Sequence, residues 1–181
     1  MKTVAITLSL ILVGLTTFSQ NKLITKSGHA KFYSHTVVED IEANNYKVIS
    51  SIDPSTGVVV FSIPMQSFEF EKSLMQKHYN SPKFVDTQQF PKAKFKGQIE
   101  NISKLDFTKD GTYEIKVSGD LSMHGKTKHL TEKGSIMIKD GEVTVKASFK
   151  LRLADYEIAF EKGKPAKNIA KEVTVSLNLN Y

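Results

Sequence analysis

Five histidines (His29, His35, His78, His124 and His129), 19 acidic residues and no cysteine are what this 181-residue chain offers to catalysis or metal binding. A metal ion needs several such groups at close spacing. His124 and His129 come nearest, but they straddle a turn and no carboxylate completes a compact set, so no metal site is expected. A Gly-x-Ser-x-Gly elbow is absent, and without cysteine there is no thiol nucleophile. Gly125 is isolated and Gly163 sits in a charged loop, so no glycine-rich phosphate cradle exists. Asp86 has no acid–base partner at a fixed spacing. The side chains therefore nominate no catalytic residue and point to a protein that binds rather than reacts.

The elements that would hold a ligand are strands. Tyr113, Ile115, Val117, Gly119, Leu121 and Met123 fall on one face, while Thr112, Glu114, Lys116, Ser118, Asp120 and Ser122 between them are polar. Val143, Val145, Ala147, Phe149, Leu151 and Leu153 share a face in the same way, as do Val173, Val175, Leu177, Leu179 and Tyr181. This two-residue period marks a sheet with one dry and one wet side. Lys139-Asp140-Gly141 and the stretch His124 to Thr127 supply hairpin turns. Upstream, Lys22–Lys26, His29–Ser34, Tyr46–Ile52 and Val58–Ile63 read as separate strands, and Glu39 to Asn45 shows no clear element. Glu71 to Tyr79 reads as a short amphipathic helix stopped by Pro82, with Phe70, Leu74 and His78 along one side, and it is a candidate lid. Long strands in an open sheet leave exposed edges, and closure removes them. The expected fold is all-β, an eight-stranded antiparallel barrel with a short helix near one end.

Residues 1–19 have the parts of a secretory leader: Lys2, an apolar run from Val4 to Leu15 too short to span a bilayer, and small residues at Thr17 and Ser19. Cleavage near Ser19, before Gln20, leaves residues 20–181 as one domain and gives a periplasmic or secreted address. The chain carries 25 basic residues, 24 of them after Lys2 leaves, spread along strands rather than clustered. This modest balance suits transient contact with a membrane surface and offers nothing to a nucleic acid. Oligomeric state is left open, with a dimer one option.

His78-Tyr79-Asn80-Ser81-Pro82-Lys83-Phe84-Val85-Asp86, then Phe90-Pro91 and Phe95, then the hairpin from Gly119 to Lys128, resemble the YceI-like family of secreted bacterial proteins. His78, Ser81, Phe84, Asp86, Pro91, Gly119, Asp120, His124, Gly125 and Thr127 carry the likeness as a signature, not as catalytic groups. The chain departs from the family pattern in having no tryptophan. The resemblance implies a lipocalin-like barrel whose lumen holds a long isoprenoid or other amphiphilic lipid, such as a polyprenyl quinone or polyprenol, with no other cofactor.

The inward faces mix small residues (Ala30, Ala93, Gly97, Gly119, Ala147) with large ones. Alternation alone allows either a hollow lumen or a filled one in which the glycines relieve bending. For a hollow lumen the expected wall is Phe32, Phe61, Leu74, Met75, Tyr79, Phe84, Phe90, Phe95, Tyr113, Ile115, Val117, Leu121, Met123, Val145, Phe149, Leu151, Tyr156, Val175 and Leu177. Tyr79, Asp86, His124 and Tyr156 are candidate polar groups at its mouth, and Gly119→Phe or Ala147→Trp should fill it. A solid barrel would instead act as an adaptor or stress-response envelope protein, binding a partner protein through its surface.

Overall fold

A computed structural model describes residues 22–158 and 168–181; the leader and the loop at 161–165 lie outside the described residues. The strands are β1 (Leu23–His35), β2 (Asp40–Ile52), β3 (Val58–Pro64), a two-residue β4 (Glu69–Phe70), β5 (Lys92–Ile99), β6 (Gly111–Met123), β7 (Lys126–Lys139), β8 (Glu142–Arg152) and β9 (Glu172–Asn180), with helix α1 at Ser73–Asn80. All pairings are antiparallel. β1 pairs with β2 on one side and β9 on the other, which closes eight strands into a barrel, and β4 adds a short rung against β2.

Turn chemistry sets the order. His124–Gly125 and Asp140–Gly141 form two-residue hairpins with both residues at positive φ (50° and 74°, 52° and 83°), the geometry that matches the twist of the flanking strands. Asp53 accepts hydrogen bonds from the backbone N–H and hydroxyl of Ser55, and Gly57 at φ 73° returns the chain into β3.

Two expectations about the first strands are corrected. Lys22–Lys26 and His29–Ser34 are not separate strands but parts of β1, which continues through Ser27–Gly28 with shifts in its register against β2. The residues from Asp40 to Asn45, which read as featureless, are the first half of β2. Their inward side chains include Ala43 and Asn45, too small or too polar to display a hydrophobic period. Asn45 is fully buried because its amide donates to the Pro64 carbonyl (2.8 Å) and its Oδ1 accepts from Lys47 N–H (2.9 Å).

Packing divides the barrel into two halves. Around the Asp53–Gly57 and Asp140–Gly141 turns, Val48, Ile52, Val59, Ile99, Ile136, Ile138, Val143 and Leu179 fill the interior as a conventional core. Tyr181 plugs this end and shares a hydrogen bond with Ser50. Toward α1 the interior opens. The wall also loosens there: the β7–β8 ladder runs from Lys139–Glu142 only to Gly134–Ala147, although both strands continue beyond it.

Gly97 and Gly119 face each other across β5 and β6, and the Phe95 ring lies over the pair. A Cβ on Gly119 would come 2.3 Å from the Gly97 Cα and 2.5 Å from the Lys96 carbonyl. These glycines therefore permit close backbone approach beneath an aromatic ring and do not widen the lumen. Gly119→Phe cannot serve as a lumen-filling substitution, since no side chain fits. Gly119→Ala is expected to lower stability by about 3 kcal/mol through overpacking against backbone. Gly141→Ala, with open space around it but φ at 83°, should lose only about 1 kcal/mol. Urea unfolding of the two variants checks the difference.

Candidate functional site

The open half of the barrel encloses a cavity of about 580 Å³. Its wall comes from alternate residues of every long strand and from α1. Phe32 (β1), Phe61 (β3), Phe95 (β5), Ile115, Val117, Leu121 and Met123 (β6), Val145, Phe149 and Leu151 (β8), Val175 and Leu177 (β9), with Met75 and Tyr79 (α1) and Phe84 after it, all stand on this wall. The small residues Ala30, Ala93 and Ala147 do so too, and they leave space that larger side chains would take.

Four residues expected on the wall lie elsewhere. Leu74 is on the outer side of α1 and 61% exposed, because the helix turns Met75 and Tyr79 inward instead. Phe90 packs edge-on against the His124 ring (4.5 Å between centroids). Tyr113 is at the packed end, its hydroxyl donating to the carbonyls of Lys109 and Asp106 (3.2 and 3.4 Å). Tyr156 is buried in the turn after β8, outside the cavity wall. Sequence reasoning also missed wall residues. Met65, Phe68 and Val85 lie in irregular segments with no period to read. Leu130 and Glu132 were legible, since they continue the inward row of Gly134, Ile136 and Ile138 on β7.

The signature residues act as joints between α1, the connection after it and the barrel. Ser81 Oγ donates to the His78 carbonyl (2.7 Å), while the Ser81 carbonyl accepts from Phe84 and Asp86 N–H (both 3.0 Å). Asp86, at φ 46°, accepts Phe90 N–H on its carbonyl (2.8 Å), and the Pro91 carbonyl accepts Met65 N–H (2.9 Å). His124 Nδ1 is 2.8 Å from the Tyr156 carbonyl and donates to it, tying the β6–β7 turn to the segment after β8. A Cβ on Gly125 would meet the Phe90 ring at 3.1 Å. Thr127 bonds Ser122 across the hairpin (2.7 Å). Asp86, His124 and Tyr156, expected at the mouth, are thus engaged in these joints, and of the four candidates only Tyr79 stands on the cavity wall.

Tyr79 is the centre of an aromatic cluster. Its ring lies 5.0 to 6.2 Å from those of Phe32, Phe68, Phe70 and Phe84. Its hydroxyl is buried with no hydrogen-bond partner, and that burial holds it un-ionised well above the usual phenol range. Burial likewise pushes the Tyr156 hydroxyl, also unpartnered, up to about 12, with Asp155 adding to the effect. Tyr181 is raised to about 12 by burial, with its Ser50 bond working in the opposite direction.

One arrangement outside the lumen has the hydrogen-bond order of a hydrolytic triad: Ser118 Oγ is 2.9 Å from His129 Nε2, and His129 Nδ1 is 2.8 Å from Asp120. These groups stand on the outward face of β6 and β7, with the His129 and Asp120 side chains 65% and 62% exposed. Ser118 also bonds Thr131 (3.0 Å), and β6 is laddered to β5 and β7 on both sides, which leaves no free amide pair to stabilise an oxyanion. The set reads as a cross-strand surface network. Among the described residues, no group of three or more His, Cys, Asp or Glu side chains could hold a metal.

A closed eight-stranded antiparallel barrel with one short helix and an apolar cavity is a lipocalin-like barrel. The family model for the YceI-like domain matches residues 19–181, and the chain belongs to that family. Among solved structures, a polyisoprenoid binding domain from Saccharophagus degradans is similar at 14% identity with a TM-score of 0.73, covering 88% of this chain and 97% of that one. BcnA of Burkholderia cenocepacia is similar at 16% identity and a TM-score of 0.70, covering 85% and 96%. The Campylobacter jejuni YCEI protein follows at 16% and 0.63, covering 81% and 87%. No curated protein matches the chain.

The buried tyrosines give the fold an alkaline limit. Because the folded state keeps these hydroxyls protonated above their ordinary value, their contribution is complete below about pH 10 and is lost as pH rises toward about 12, at about 1.4 kcal/mol per pH unit for each tyrosine. Urea midpoints measured across that window should fall steeply in the wild type. Tyr181→Phe should remove one such increment from the slope.

Proposed function

We propose that the protein binds one long hydrocarbon ligand, isoprenoid or fatty, in the hollow half of its barrel and carries or sequesters it without chemistry. The observation that carries this reading is the 580 Å³ apolar cavity beside a half-barrel packed solid. A cavity of this size lined by hydrocarbon is unfavourable to fill with water, and each methylene moved into it contributes roughly 0.8 kcal/mol. The packed end limits how deep a tail can go. Chain length is thus read from the floor, and the polar groups on the wall, His78, Ser81 and Lys83 near α1 and Glu132 on β7, are the places where a head can rest. A quinone or polyprenol head suits this arrangement. The similar domain from Saccharophagus degradans is described as polyisoprenoid binding, which supports the same ligand class here. The alternative, an adaptor acting through its surface, assumed a barrel filled from end to end, and the cavity speaks against that premise.

With the leader-like segment at residues 1–19, the reading places the protein outside the cytoplasm. Its spread of lysines suits brief contact with anionic membrane surfaces during ligand exchange.

Protein purified from its native host should release a hydrophobic molecule into organic solvent, identified by mass spectrometry. Ala147→Trp, which projects an indole into the cavity, should reduce lipid uptake at least about tenfold while the far-UV circular dichroism stays that of the wild type. Unchanged uptake by this folded variant would rule out a lumenal site.

A further inference from the structure

β7 and β8 part company halfway along the barrel. Their ladder ends at Gly134–Ala147, yet β7 extends back to Lys126 and β8 forward to Arg152. At the far end the two are brought together again by the His124–Tyr156 hydrogen bond and by an ion pair between Lys126 and Glu157 (2.8 Å). Between these two fastenings no ladder joins the strands, and this unpaired interval is termed the window. The cavity reaches it: Lys133, an exposed residue on the outer face of β7, borders the cavity alongside Leu130 and Glu132 from the inner face.

Glu132 is the first inward residue past the last rung. Its antiparallel partner on β6 is Val117, and its same-face neighbours on β7 are Leu130 and Gly134. Across the window stand Phe149 and Leu151 of β8. No hydrogen bond or ion pair among the described residues reaches its carboxylate, and burial raises its pKa with no charged neighbour opposing the shift. The charged groups around it face away or are occupied. Lys133 points to the outer face, Lys126 is paired with Glu157, and Lys128 lies toward the closed end of the window. The other ionisable cavity residues, Glu39, His78 and Lys83, belong to the α1 end. The carboxylate is partly buried and makes no protein hydrogen bond, so a donor bound in the cavity can take the place of the solvent that now reaches it.

We propose that this window is a headgroup subsite in which Glu132 accepts a hydrogen bond from the hydroxyl or amine of a single-tailed lipid whose chain lies in the lumen. The inference rests on the lipid-binding reading and adds a head specificity: donors are held, anions are turned back. A lipid carboxylate or phosphate would bring a second negative charge against Glu132 and be repelled by it. An ammonium or hydroxyl head would supply the missing partner.

The test uses the delipidated full mature chain and four probes with the same sixteen-carbon tail: the amine, the alcohol, the methyl ester and the free acid. Binding is read by displacement of an apolar fluorophore near neutral pH. In the wild type the amine should bind roughly tenfold or more tighter than the methyl ester, the alcohol between them, and the acid weakest. Glu132→Leu should bring all four within about threefold of one another and keep methyl ester binding intact. Glu132→Gln should keep the alcohol and lose the amine preference. In the wild type the amine preference should fade as pH drops through the raised pKa of Glu132, since the amine stays charged while the carboxylate is neutralised. Glu132→Leu should unfold at no lower a temperature than the wild type, because it removes no hydrogen bond or ion pair, so loss of discrimination is not loss of fold. The same head ordering in Glu132→Leu as in the wild type would overturn the subsite and leave the lipid-binding reading standing. Failure of even the methyl ester to bind would overturn both.

Discussion

Everything in this molecule depends on β1 pairing with two neighbours at once. Without the ladder to β9 the sheet would be open, and its two-residue alternation would only separate a wet face from a dry one. Closure turns the dry face into an interior, and the fate of each inward side chain is then set by its height along the barrel axis. The same strand can contribute to solid core near one turn and to cavity near the other. β8 does this with Val143 on the packed side and Ala147, Phe149 and Leu151 on the hollow side, and β7 with Ile136 and Ile138 against Gly134 and Leu130.

This division reconciles stability with an empty space. A barrel with no disulfide must hold itself together by burial alone, and the end built from Val48, Ile52, Ile99, Ile136 and Leu179 supplies it. Relieved of that task, the other end can leave wall contacts unmade. It is shaped by an aromatic cluster that includes one buried hydroxyl without a partner and, on β7, by a partly buried carboxylate that no protein group bonds. Polar groups left unsatisfied in an otherwise well-bonded structure are the expected mark of a place where something else binds.

Much of this was legible in the sequence because the strands are long and alternate cleanly. β6, β8 and β9 could be written down, with their inward faces, from residue types alone, and the Asp140–Gly141 turn followed from its dipeptide. What was hidden was hidden for physical reasons. The first half of β2 buries Ala43 and Asn45, the latter by hydrogen bonds that no hydropathy pattern reveals. β1 carries its irregularity at Ser27–Gly28, so it reads as two strands with a turn between. Leu74 obeys a helical period, but a helix resting on a barrel mouth is positioned by its ends, and here the joints at Ser81 and Asp86 rotate Tyr79 inward and Leu74 out. Gly97 and Gly119 look like room for a ligand, and only the coordinates show that Phe95 and the opposing backbone occupy that room.

The central claim is that a hydrocarbon tail lies along the hollow half of the barrel and stops at the packed half. Isothermal titration of delipidated protein with a homologous series of straight-chain alcohols tests it most directly. Affinity should rise by roughly 0.8 kcal/mol or less per added methylene, with a negative heat-capacity change, and then level off once the tail meets the floor formed by Ile136 and Leu179. Affinity that does not change with chain length would contradict the account.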